Sequence, residues 1–121
     1  MYLIIAGILI IFTAALHSII GERRLIAPLL ASDLDLVKHE IARPVIRFAW
    51  HMTSILWLMI AHFLVKTGLS GINGNADLLI MIGILHIAAG LYDGVVTKWK
   101  HIGWAPITLI GVFSLLGVYF S

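Results

Sequence analysis

Few side chains in this sequence can do chemistry, and most of those that can are imidazoles. Six histidines stand in a chain of which only 12% is charged and which has no cysteine. Thiolate metal ligands, iron–sulfur clusters, disulfides and thiol catalysis are therefore excluded. The titratable residues fall at helical intervals. Thr13 and His17 are four apart, with Glu22 just beyond them. Arg43, Arg47 and His51 follow one another at four-residue steps, then Ser54, and His62 lies eleven residues past His51. Eleven residues at 100° each return to nearly the same helical face. His86 and Asp93, seven apart, also share a face, with Gly83, Gly90 and Gly94 beside them to let another helix approach.

Imidazole and carboxylate groups from separate helices suit a metal ion. His17, His51 and Asp93, with Glu22 or His86 as a fourth, have the ligand chemistry for Zn²⁺ or non-haem iron. Haem b is a second cofactor reading, with His17 and His51 as the axial pair and His86 as the substitute for either. In catalysis His86 or Glu22 would move a proton, and Arg47, one turn before His51, would hold an anionic or lipid-like ligand. No local motif selects among these; there is no His-Glu-x-x-His and no Glu-x-x-His pair. The opposing reading is a buried hydrogen-bond network, in which each imidazole donates from one nitrogen and accepts at the other and Arg47 pairs with Glu22 or Asp93. Trp50 and Trp57, seven apart, read first as packing residues.

The elements that must position these groups are apolar throughout. Of 121 residues 61% are hydrophobic, and mean hydropathy is +1.07, against roughly 45–50% apolar in an ordinary soluble domain. Four blocks, residues 2–20, 45–65, 78–96 and 102–120, each approach the ~20 residues that a helix needs to cross about 30 Å of hydrocarbon. In lipid only a helix closes its own backbone bonds over such a run. The expected fold is thus a single all-α domain, residues 1–121, with four transmembrane helices in an up-and-down bundle. A short amphipathic helix in the membrane interface is expected between helices one and two, where Leu25, Leu29, Leu30, Leu34 and Val37 recur at helical spacing. The first block has no preceding basic stretch and no small-residue cleavage pattern, so it reads as a retained helix.

Arg23, Arg24, Lys38, Arg43, Arg47, Lys98 and Lys100 fall on one side of this topology and Lys66 on the other, which places both termini away from the cytoplasm. His17, His51 and Asp93 then converge in the cytoplasmic half, with Glu22, His39, Glu40, Arg47 and His101 at the rim. Helices one to three enclose that pocket and helix four closes the bundle. The expectation is a small protein of a prokaryotic cytoplasmic membrane whose pocket binds a metal or haem for redox or lipid-directed chemistry. The alternatives are a non-enzymatic lipid-binding or assembly subunit, with structural histidines, and a subunit of a homo-oligomeric channel or transporter. Membrane lipid and further copies or a larger membrane complex are the expected partners. Nucleic acid is not, because eight basic residues are too few and too scattered to track phosphates.

Overall fold

The computed structural model describes residues Met1–Ser121 and is built from helices alone, with no strand. Uninterrupted apolar sequence makes α1, Tyr2–Gly21, and the coil does not stop there. It widens into a π turn, Glu22–Ile26, and narrows again into α2, Ala27–Leu30. Pro28 supplies a physical reason for the widening. It has no N–H to give the carbonyl of Arg24, and its ring would press on that carbonyl in a regular α coil. The Ala27 N–H reaches back five residues to the Glu22 carbonyl instead.

After Ser32, whose hydroxyl closes on the Leu29 carbonyl at 2.6 Å, the backbone runs extended at Leu34 and makes the single turn α3, Asp35–Lys38. The amphipathic helix expected across this link is thus divided: its first part continues the first helix, and one turn remains free. Ile26, Leu30 and Val37 bury together against Leu29, Ile46 and Trp50, which ties the link to the start of the next helix. That helix, α4, spans Ala42–Ser70, longer at both ends than the apolar block at 45–65. Pro44 is accommodated in its first turn, where no intrahelical donor is needed.

Residues 71–75 turn the chain. Gly71, Asn73 and Gly74 take positive φ, a region open to glycine and tolerated by asparagine. Helix α5 is Ala76–Val96 and α6 is Trp104–Tyr119. Three helical runs are long and apolar enough to cross a bilayer: Tyr2–Leu30, Ala42–Ser70 and Ala76–Val96. Helix α6 is apolar but shorter, 16 residues or about 24 Å at 1.5 Å per residue.

Packing follows the spatial order α4, α1, α6, α5. Leu3, Ala6 and Ile10 of α1 meet Ala61 and Leu64 of α4, Leu79 and Ile82 of α5, and Ile110 of α6 in one core. Helices α5 and α6 approach backbone to backbone: a Cβ at Gly90 would lie 2.7 Å from the Thr108 nitrogen, and one at Gly111 2.8 Å from the Ile87 nitrogen. Helices α4 and α5 hardly touch. Between them lies an apolar groove of about 330 Å³, lined by Met59, Ile60 and Phe63 on one side and Leu78, Met81, Ile82 and Leu85 on the other. Only 22 of the 121 residues are buried, while Phe12, Phe48, Met59, Leu85 and Tyr92 are each more than half exposed. The molecule shows its apolar side chains outward.

Candidate functional site

Two pairs of residues, each four apart, face one another across the α1–α4 seam. Ser18 and Glu22 lie one turn apart at the end of the first helix; Arg47 and His51 lie one turn apart on the antiparallel α4. Four-residue spacing stacks each pair on one helical face. His51 bridges the other helix. Its Nδ1 lies 2.6 Å from Ser18 Oγ and its Nε2 3.2 Å from Glu22 Oε2. A carboxylate can only accept, so Nε2 carries the proton. In the neutral ring Nδ1 is then an acceptor, and the Ser18 hydroxyl donates to it.

Arg47 fixes the far end of this chain. Its Nε donates to Glu22 Oε1 at 3.0 Å, and a second guanidinium nitrogen lies 2.9 Å from the same oxygen. The site is open to its surroundings, with side-chain exposure of 52% at Arg47, 35% at His51 and 24% at Glu22. Glu22 is also where the π turn begins, and such widened turns recur at functional sites.

The same seam is braced on its inner side. Trp50 Nε1 donates to the His17 carbonyl at 3.2 Å, and the Trp50 ring stacks on the His17 imidazole with centroids 4.0 Å apart. Gly21 leaves the room this indole needs, since a Cβ there would run into the ring. One turn deeper, the Ser54 hydroxyl donates to the Ala14 carbonyl at 3.3 Å. Trp57 follows, set edge-on to His17 at 5.8 Å and tilted against His86 at 6.4 Å.

The residues expected to share one pocket therefore separate into three places. His51, Glu22 and Arg47 meet. His17 is adjacent, but its ring faces Trp50 and Trp57 rather than the other imidazole. His86 sits in the core of α5 with Nδ1 on the Ile82 carbonyl at 2.8 Å. Asp93 pairs with the exposed His101, Nδ1 to Oδ2 at 2.6 Å, on the α5–α6 side. That displacement has a packing cause: the main partner of α5 is α6, not α1 or α4, which keeps Asp93 away from the α1–α4 seam.

No three histidine, aspartate or glutamate side chains are arranged to hold a metal ion. The set His17, His51, Asp93 and Glu22 is not assembled, and His51 has both ring nitrogens engaged. The haem pairing of His17 with His51 meets the same obstacle. His17 and His86 each keep a buried Nε2 without a partner, and the Trp57 indole packs against both rings.

Ser18 and Trp50 were not among the expected site residues. A lone serine in an apolar block costs little and attracts no notice, yet its four-residue spacing to Glu22 matched that of Arg47 to His51. Searches of protein-family models, curated proteins and solved structures find no match to this chain.

Proposed function

We propose that this is a small integral membrane protein acting on lipid. In this reading the three long apolar helices and α6 form a four-helix bundle with both termini on the non-cytoplasmic side of a prokaryotic cytoplasmic membrane. The link between α1 and α4 lies in the cytoplasmic interface. The outward apolar side chains support a lipid surround, and the clustering of basic residues around the link supports the orientation. The working site is the Ser18–His51–Glu22–Arg47 cluster: Arg47 recognises an anionic headgroup, His51 is the general base and Glu22 orients it. One observation carries this reading, the unbroken hydrogen-bonded run from hydroxyl through imidazole to carboxylate. It is the arrangement by which a ring nitrogen is held ready to take a proton from a neighbouring hydroxyl. Arg47 spends Nε and one terminal nitrogen on a single carboxylate oxygen, which leaves the other terminal nitrogen of its half-exposed side chain for a phosphate.

The test is lipid selectivity in nanodiscs of defined composition. The protein should retain phosphatidylglycerol over phosphatidylcholine, and Arg47→Gln should weaken that preference about tenfold, or ~1.4 kcal/mol. Equal retention of the two lipids by the unmodified protein would overturn headgroup recognition. A second reading, an assembly subunit with a structural network, is favoured by the complete satisfaction of the His51 ring. It expects His51→Ala to lower stability without changing lipid selectivity or any turnover.

A further inference from the structure

The reading above leaves open what the base acts on, and the seam itself offers an answer. The structure assigns Ser18 as a nucleophile for acyl transfer, with an acyl ester of a membrane lipid as the substrate class; this rests on the lipid-directed reading of the same cluster. The parts are those of an activated serine. A hydroxyl donates to an imidazole nitrogen at 2.6 Å, the opposite nitrogen donates to a carboxylate at 3.2 Å, and that carboxylate is pinned by a guanidinium at 2.9 Å. Geometry and roles define such a constellation, not chain order or ring-nitrogen name. Here Nδ1 faces the hydroxyl and Nε2 the acid.

The alternatives for Ser18 are weaker. A serine inside a helix ordinarily returns its proton to the carbonyl four residues back, as Ser114 does to Ile110 at 2.8 Å. Ser18 gives up that local bond and points across the seam. It is partly exposed, next to the exposed Ile19 and Ile20, so an ester group lying among acyl chains can reach it. Arg47, on the helix turn preceding His51, keeps its remaining terminal nitrogen for the headgroup phosphate and so anchors the lipid whose ester Ser18 attacks.

The chemistry closes without an outside oxidant or reductant. Ser18 Oγ bonds to the ester carbonyl carbon while its proton passes to His51 Nδ1. The tetrahedral adduct then breaks its bond to the alcohol, which leaves with that proton, and the acyl group stays on Ser18 as an ester. Water attacks next, giving its proton to His51. The Ser18–acyl bond breaks, Oγ takes the proton back, and a free carboxylic acid departs. The sum is ester plus water to acid plus alcohol, with the serine restored.

A fluorophosphonate probe tests this directly on the full chain in phosphatidylcholine–phosphatidylglycerol nanodiscs, read by intact mass and peptide mapping. The expected result is one adduct, on Ser18. It should be absent in Ser18→Ala and formed at least about 100-fold more slowly in His51→Gln, the size of a lost general base. Ser18→Cys, close to serine in volume, should regain labelling by an iodoacetamide probe that His51→Gln slows, which covers the case where the alanine variant does not fold. An unlabelled protein with helical circular dichroism intact overturns the proposal, and so does an adduct that persists in Ser18→Ala. If labelling fails while phosphatidylglycerol selectivity holds, Ser18 is not the nucleophile and headgroup recognition stands. If selectivity fails as well, both readings fall.

Discussion

The two helix pairs at the flanks of this molecule are joined by opposite means. Along α1 and α4 the contact near residues 14–22 is made by side chains: Trp50 on the His17 carbonyl, Ser54 on the Ala14 carbonyl, and His51 between Ser18 and Glu22. Along α5 and α6 it is made by the absence of side chains, with Gly83, Gly90 and Gly111 bringing backbones together. A seam of glycines gains dispersion over its whole length and excludes any guest. The seam of polar groups is partly exposed at Arg47, His51 and Glu22, and so is open to exchange of partners. The connected cluster Ser18, His51, Glu22 and Arg47 lies on the polar seam, while the Asp93–His101 pair sits at the end of the glycine seam.

Breaking the glycine seam gives the largest effect. In Gly111→Ala the new methyl would meet the Gly83 carbonyl and the Ile87 nitrogen. Neither is a flexible side-chain end that can move aside. The expected loss is about 3 kcal/mol, at the upper end for overpacking, read as a lowered unfolding midpoint in mixed detergent micelles. Breaking the polar seam costs less. Trp50→Phe keeps a ring on His17 but leaves its carbonyl without the indole donor, a loss of about 1 kcal/mol in the same measurement. The smallest effect belongs to neither seam. Lys38 pairs with Asp35 at 2.9 Å on an exposed turn, and Lys38→Ala should change stability by under about 0.5 kcal/mol. An order with Trp50→Phe above Gly111→Ala would mean that the polar contacts, not the close backbones, hold the flanks together.

Much of the helical organisation could be read from hydrophobic blocks, because a run such as Tyr2–Ile20 leaves a chain few options. The ends could not. Helix α4 extends to Ala42 and Ser70 because helical backbone bonding continues through Arg43, Lys66 and Ser70, residues that end a hydropathy block without ending a helix. The π turn was hidden for a similar reason: Pro28 was visible, but whether it would begin a helix or widen one depended on the coil before it. At the site, the axial spacing was legible and the angular placement was not. Arg47 and His51 share one face of α4, as their four-residue spacing suggested, but that spacing did not show that Glu22 would join them, and Asp93 turns to His101 because helix order in space is α4, α1, α6, α5. No periodicity within a helix says which neighbour it will choose.

That order has one more consequence. Helices α4 and α5 are consecutive in the chain, joined by residues 71–75, yet the groove keeps them apart. The hairpin that would ordinarily form first contributes almost no interface of its own. The neighbours that do pack are α1 with α4 and α5 with α6, and the contact of α1 with α6 joins these two pairs into one bundle. The α1–α6 contact is thus the main tie between the polar seam and the glycine seam.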